Sequence, residues 1–492
     1  MKRLLQFFLI LFCSLNLQAQ IYTYYSSINT GSPTFITDLE ARIRSPYTIV
    51  SYKNFINNVE QFASRDTTGG KRVVTCIYSG ENYVYTPPFA WTPTTTFSRE
   101  HTYCQSWWPN GGTTSDDYGC DQHHLFPINQ NQANGIRSNH PLGEVVTATY
   151  TYLECKLGQN AAGSVVFTPR ASHRGDAARA LLYMALKYNG VAGDWTFNHL
   201  NTVTLPTAGE GPEEIAILMK WHKQDPPNKW EVDRNNYVQS VQSNRNPFID
   251  HPEYVNYIDF NTLTKLSPVY AAEPDSNVYN VKAVKSGTTM NVSWSIPQGA
   301  HQASGYLLMV YDTDDYYIPI DGETYANDTI LTDSFGRYNI LQANQTSHSF
   351  SGLDPLKTYY VRMYSFNGDS TARNYKIDGV VASANTSQPN GVTGQNQTPI
   401  TFSLEQNYPN PFNPSTTISY NLPASGGLTA NTGVMLKVFD LLGNEVRILV
   451  NEEQAAGNYR IEFNAAGLAS GIYFYRLHAG NFTASRKMTI LK

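Results

Sequence analysis

Ser98-Arg99-Glu100-His101-Thr102-Tyr103 is followed by Asp121-Gln122-His123-His124-Leu125-Phe126-Pro127 and then by Asn134-Gly135-Ile136-Arg137-Ser138-Asn139. These short segments gather a carboxylate, imidazoles, side-chain amides and a guanidinium. Such groups can hold a divalent cation, activate water and neutralise phosphate. The pattern also constrains the architecture. Neighbours on a regular strand point to opposite faces, so Glu100 and His101 share one site only where the strand ends or bends. Asn134 and Arg137 are three apart and lie on one face if their stretch is helical.

Each residue type suits a separate task. Neutral imidazole is a base near pH 7, with a reference pKa of about 6.5. A carboxylate and an amide oxygen suit Mg²⁺, which keeps several waters and needs few protein groups. Mn²⁺ or Ca²⁺ could use the same oxygen ligands. A Glu-His pair by itself is more often a surface or hydrogen-bonded pair than a site, and the neighbouring motifs are what give it weight.

Lys2 and Arg3 precede an apolar run from Leu4 to Leu15, and a small residue follows at Ala19. Residues 1–19 therefore read as a secretory signal peptide. The run is too short to span a bilayer, which takes about 20 apolar residues, so no stable membrane insertion is expected. Beyond Cys13 the cysteines are Cys76, Cys104, Cys120 and Cys155. An even count in an exported chain suggests disulfides, in any of the pairings that four cysteines allow. A zinc site from Cys104, Cys120, His123 and His124 is the alternative, with irregular spacing.

The 492 residues exceed one ordinary core. From Ile21 to Pro268 there are 19 Lys plus Arg and 22 Asp plus Glu, so 19 − 22 = −3. Bulk charge thus gives no sign of a polyanion partner, and such affinity needs a local basic patch or a metal. Ala177, Leu181, Met184 and Tyr188 recur at helical spacing from a start near Asp176. Glu214 to His222 reads as a second helix, with Pro212 near its start and Pro226-Pro227 beyond its end. Residues 20–268 are α+β.

From Asn277 the pattern changes to short alternating runs, including Met290-Asn291-Val292-Ser293-Trp294, Tyr306 to Tyr311 and Tyr359 to Tyr364. Such runs predict a β-sandwich over 270–387. Trp294 and the Leu353-x-Pro355 step before Tyr359 resemble a fibronectin type III domain, whose corner tyrosine ties a loop to the following strand. Residues 388–399 are rich in turn formers and read as a linker. Over 400–492, Tyr408-Pro409-Asn410-Pro411-Phe412-Asn413-Pro414, Val438 to Gly443 and Gly471 to Leu477 resemble the C-terminal sorting domain of type IX secretion substrates, a second β-sandwich. That resemblance implies the type IX secretion machinery as a partner and a secreted or outer-surface location.

The Arg-Glu-His, Asp-x-His-His-Leu-Phe-Pro and Asn-Gly-x-Arg-Ser-Asn motifs resemble the bacterial endonuclease I family. So do Arg174-Gly175-Asp176-Ala177-Ala178-Arg179-Ala180 and Asn244-Arg245-Asn246-Pro247-Phe248-Ile249-Asp250. These are His-Me finger (ββα-metal) nucleases, which cut DNA and often RNA with little sequence preference. The resemblance implies that His101 is the general base, and that Glu100 and Asn134 are metal ligands. The stretch before Asn134 is one residue longer than the family pattern, so Asn131 stands as a second ligand candidate. No arginine lies between His101 and Asn134. Arg137 is therefore the first candidate to steady the phosphate, with Arg174 and Arg170 behind it.

Other residues have blander readings beside functional ones. Asp121, His123 and His124 either orient ligands or brace a loop. Arg179 and Lys187 face water or phosphate. Trp107 and Trp108 fill the core or stack on bases. The expected protein is a secreted, Mg²⁺-dependent endonuclease of low sequence preference acting on DNA, with RNA left open. One rival is an adhesion or polymer-binding protein with an inactive nuclease-like half. Another is a phosphodiesterase for substrates other than nucleic acid.

Overall fold

The structure is a computed structural model that describes residues 24–90, 97–109, 111–203, 205, 214–297, 299, 301–331, 335–378 and 381–386. Towards the C-terminus it describes 403–404, 407, 410, 412, 414–422, 432–441, 443–454, 457–480 and 482–490. The expected signal peptide at 1–19, Pro212 and the expected linker at 388–399 lie outside the described residues. Contacts divide the chain into two units, residues 1–388 and 389–492.

The first part of the larger unit is α+β. Strands β1 (Ser64–Asp66), β2 (Arg72–Thr75) and β3 (Asn82–Tyr85) form one antiparallel sheet. β4 (Phe97–His101) pairs with β5 (Leu125–Asn129), and β6 (Thr147–Tyr152), β7 (Cys155–Gln159) and β8 (Val165–Thr168) form a third sheet. The principal helices are α1 (Phe35–Arg44), the short α2 (Gly135–Arg137), α3 (Arg174–Tyr188), α4 (Ile215–Gln224) and α5 (Lys229–Gln242).

Helix α3 carries the expected apolar positions, yet it is buried on every side from Gly175 to Tyr188. It is the axis of the core, and full burial of each Leu or Met contributes about 1.5–3 kcal/mol. Gly175 follows from close approach, because a Cβ there would lie 1.9 Å from the Asp225 carbonyl oxygen. The polar residues of α3 turn inward too, which corrects the expectation that Arg179 and Lys187 face water or phosphate. The Arg179 guanidinium holds Glu231 at 2.8 and 2.5 Å and Asp176 at 3.2 Å. Lys187 lies 2.6 Å from Asp121. A buried charge needs such a partner. Asp121 also accepts from Tyr183, Tyr188 and Gln242, so it braces the loop before β5 onto α3 and α5.

The expected disulfides are absent, and Cys76, Cys104, Cys120 and Cys155 are all buried free thiols. Each sulfur is turned to its own partner. Cys120 meets the Thr114 carbonyl at 3.2 Å, Cys155 the Tyr152 carbonyl at 3.2 Å, and Cys76 accepts from the Asn129 amide at 3.3 Å. Arg137 Nη1 donates to Cys104 Sγ at 2.6 Å. The thiols pack as small apolar groups. Among the described residues no group of three His, Cys, Asp or Glu side chains could hold a metal, so the zinc cluster is not assembled.

Residues 279–385 form two facing sheets. One joins Tyr279–Ser286, Thr289–Ser295 and Ser347–Phe350, and the other is built on Gly305–Tyr311 and Tyr360–Asn367. Trp294, Tyr306, Met363 and Tyr359 fill the space between them. The Asp354 amide donates to the Tyr359 hydroxyl at 2.9 Å, which is the expected tyrosine corner. The smaller unit is also a sandwich, with strands 415–422 and 457–464 in one sheet and 432–439, 445–454, 471–479 and 482–490 in the other. Ile418, Leu436, Tyr475 and Met488 lie in its core. The chain is thus an α+β domain followed by two β-sandwich domains. Among the described residues no helix is long and apolar enough to cross a membrane.

Candidate active site

β4 ends at His101, which resolves the difficulty of two adjacent residues serving one site. Glu100 pairs with Phe126 and His101 with Leu125 across the β4–β5 ladder, and past His101 the chain leaves the strand. β5 ends at Asn129, whose side chain accepts from the Asn131 and Gln132 amides and so starts the helical turn Gln130–Asn134. α2 follows directly. Asn134 and Arg137 both reach back to β4 and its end, as their three-residue spacing requires.

Glu100 is 3% exposed and Arg137 is fully enclosed. Arg137 Nη1 lies 2.8 Å from Glu100 Oε1, and the Tyr78 hydroxyl donates to the same oxygen at 2.9 Å. Oε2 therefore has no protein hydrogen bond among the described residues. Burial raises the Glu100 pKa above its ordinary value, against the opposing effects of Arg137 and Tyr78. Arg137 also donates to the Thr102 carbonyl at 3.0 Å. Its guanidinium is committed to the interior, whereas the expected phosphate contact needs a cation facing outward.

Asn134 donates its amide to the Arg99 carbonyl and to Gln130 Oε1, each at 3.2 Å. With both donors fixed, the orientation of the amide is set and Oδ1 remains as an acceptor. Asn131 is exposed, and its backbone amide is bound to Asn129.

His101 Nε2 lies 3.0 Å from the Gly119 carbonyl oxygen. A carbonyl only accepts, so Nε2 carries the proton and Nδ1 carries the lone pair. The ring stacks on Tyr52 at 5.2 Å and 7° and meets Trp108 edge-on at 5.2 Å. Burial lowers the His101 pKa to about 4, with Arg99 adding to the shift, so the ring is neutral at pH 7. The Arg99 guanidinium lies 4.4 Å from the Tyr52 ring centre, on the same strand face as His101. Tyr52 therefore contacts both a cation and the imidazole.

The remaining candidates lie nearby or serve the scaffold. The Arg170 amide donates to the Tyr78 carbonyl at 2.8 Å, and Arg174 Nε donates to the Pro169 carbonyl at 3.3 Å. Both arginines are partly exposed, Arg170 on the turn before α3 and Arg174 as its first residue. Trp107 and Trp108 are in the core. His124 donates to the Tyr118 carbonyl at 2.8 Å and packs 5.0 Å from His101. Sequence reasoning missed Tyr52, Tyr78, Arg99 and Gly119. Only Arg99 carried a signal, standing two residues before His101 on an alternating strand.

Residues 32–253 match the family model described as Endonuclease I. Residues 276–377 match the fibronectin type III domain, and 406–491 match the secretion system C-terminal sorting domain. An extracellular ribonuclease of Bacillus amyloliquefaciens is 31% identical over 245 residues, covering 49% of this chain and 79% of that protein. A second, from Bacillus subtilis (strain 168), is 30% identical and covers 48% and 78%. An extracellular deoxyribonuclease of Aeromonas hydrophila is 27% identical over 130 residues, covering 26% of this chain and 49% of that protein. Together with the fold, these matches define a hydrolytic nuclease. The chain belongs to the endonuclease I family, and its sorting domain and extracellular relatives make it a secreted or outer-surface protein.

Proposed function

We propose that the protein is a divalent-metal-dependent endonuclease that hydrolyses the phosphodiester bonds of DNA and RNA with little sequence preference. The observation that carries this reading is the Nε2 to Gly119 contact of His101. It fixes the ring and leaves a neutral Nδ1 to accept a proton from water. Glu100 through Oε2 and Asn134 through Oδ1 would hold the cation, Mg²⁺ by preference, with Mn²⁺ or Ca²⁺ able to use the same oxygens. Among the described residues no protein donor meets either oxygen, which fits a hard cation. When bound, the cation stabilises the charge that develops on the phosphate.

Arg137 acts on the reaction through Glu100, which it neutralises and orients. Arg99 is the cation placed to meet a phosphate oxygen beside His101, with Arg174 and Arg170 extending the contact along the strand. Contacts to sugar and phosphate carry no sequence information, which accounts for low specificity. Relatives named as ribonucleases and as deoxyribonucleases support action on both nucleic acids.

Supercoiled plasmid and single-stranded RNA incubated with the full chain and Mg²⁺ test the reading. Both are cut, chelator abolishes cutting, and His101→Ala lowers the rate by about 10²–10⁴-fold or more with an unchanged circular dichroism spectrum. Undiminished nicking by His101→Ala would sink the mechanism.

A further inference from the structure

The segment before β1, the turn before β5 and helix α5 enclose a cavity of about 320 Å³. Asn54, Asn57, Asn58 and Gln122 line it, and Tyr237 and Val241 enter from α5. Tyr237 and Val241 are four apart and so share one face of that helix. The lining side chains are amides, a phenol and aliphatics, and none of them carries a charge. Such a cavity is unsuited to phosphate and suited to a neutral polar group. Its volume is at the low end for small-molecule sites, so it admits a single ring-bearing unit.

The orientation of the buried amides follows from a chain of contacts. The Cys120 carbonyl only accepts, so Gln122 Nε2 donates to it at 2.8 Å and Oε1 is turned toward Asn58. Asn58 meets that oxygen with Nδ2 at 3.5 Å, which leaves its Oδ1 without a protein donor among the described residues. Asn58 is only 3% exposed. A carbonyl oxygen so enclosed is costly to leave unpaired, and a donor on a ligand relieves it. Asn54 and Asn57 are exposed at the mouth. Neither their amides nor the Tyr237 hydroxyl has a hydrogen-bond partner among the described residues.

The same walls run into the candidate active site. Tyr52, two residues before Asn54, stacks on the His101 ring, and His124, two residues after Gln122, packs 5.0 Å from it. Two residues span at most about 7 Å, so each wall starts within that reach of a His101 contact. Lys53 is exposed between Tyr52 and Asn54, a cation for the backbone of a strand that passes from one to the other.

We propose that this cavity receives one nucleobase of the substrate strand, a base carrying an exocyclic amine beside a ring nitrogen, as adenine and cytosine do. The amine donates to Asn58 Oδ1, and the ring nitrogen accepts from an amide at the mouth. A base with a carbonyl in place of the amine sets oxygen against oxygen and leaves Asn58 unpaired. The inference rests on the nuclease reading above and deepens it. The preference concerns a single base position, so cutting stays indifferent to the rest of the sequence.

Fluorescence anisotropy of the full chain in chelator tests the site without hydrolysis, with a labelled hexamer of deoxyadenosine and one of deoxyinosine as probes. Hypoxanthine, the base of deoxyinosine, has a carbonyl where adenine has its amine. The adenine hexamer is expected to bind at least about tenfold more tightly, and His101→Ala keeps that ratio. Asn58→Leu brings the two affinities within about twofold of each other. Should Asn58→Leu misfold, replacing the exposed pair, Asn54→Ala with Asn57→Ala, must narrow the ratio at least about threefold. Equal binding of the two hexamers by wild type means contact with sugar and phosphate alone and overturns the proposal, as does the wild-type ratio in either variant. Plasmid nicking with Mg²⁺ is read in parallel. Nicking without the ratio sinks this site alone, whereas the ratio without nicking sinks the nuclease reading and leaves the base site standing.

Discussion

Nη1 of Arg137 lies 2.8 Å from Oε1 of Glu100, and both side chains are closed off from solvent. Removing one partner of such a pair leaves a bare buried charge, which costs about 3–5 kcal/mol. Arg137→Ala should therefore lower stability by that order in urea denaturation. It should also raise the Mg²⁺ concentration for half-maximal activity, because Glu100 loses the group that orients it. Arg137→Lys keeps the charge but not the fork, and is expected to recover part of the stability. A merely structural arginine would leave the Mg²⁺ dependence of the folded fraction unmoved.

His123 makes stability depend on pH. Its Nε2 donates to the Asn244 carbonyl at 3.3 Å, and its ring packs 4.7 Å from Tyr183. Burial lowers its pKa to about 3, with Asp121 opposing the shift and Arg234 and Lys187 adding to it. Below pH 6.5 the unfolded chain takes up a proton that the folded chain refuses. The contribution of His123 is thus intact above pH 6.5 and is lost as pH falls, at up to about 1.4 kcal/mol per unit. Glu231 and Asp225, both raised to about 7, act in the opposite sense, so the single residue is isolated by comparison. His123→Gln keeps a donor and removes the titration. The stability gap between wild type and variant should narrow by about 2 kcal/mol from pH 6.5 to pH 5, and a constant gap refutes the assignment.

The legible parts of this protein are those written locally. Alternation along Phe97 to His101 demanded a strand end at the Glu-His pair, and β4 ends there. The spacing of Asn134 and Arg137 demanded a common face, and both side chains return to β4 and its end. The direction in which Arg137 points was not legible, because a guanidinium that answers a buried carboxylate is written the same way as one that answers phosphate. The Gly119 carbonyl and the Tyr52 ring were illegible for another reason. Gly119 lies in a loop held by the ring contact of Trp108 with Tyr118, and Tyr52 comes from a separate segment before β1, so neither position is written beside His101. The helical periodicity of α3 pointed to one buried stripe, while burial of Arg179 and Lys187 depended on carboxylates supplied by distant segments.

The four buried thiols separate two histories for an exported protein. Cysteine count and compartment argue for bridges, yet each sulfur here faces a different backbone or side-chain group. Burial pushes the Cys155 thiol up to about 12, so the reactive thiolate is scarce in the folded state. Native protein should therefore react slowly with iodoacetamide. Protein unfolded in guanidinium without reductant should take up label at Cys76, Cys104, Cys120 and Cys155, read by peptide mass. Dithiothreitol should leave the melting temperature unchanged, since no bridge constrains the unfolded chain. Label appearing only after reduction, with a loss of about 2–5 kcal/mol, would mean that a disulfide forms in the exported protein.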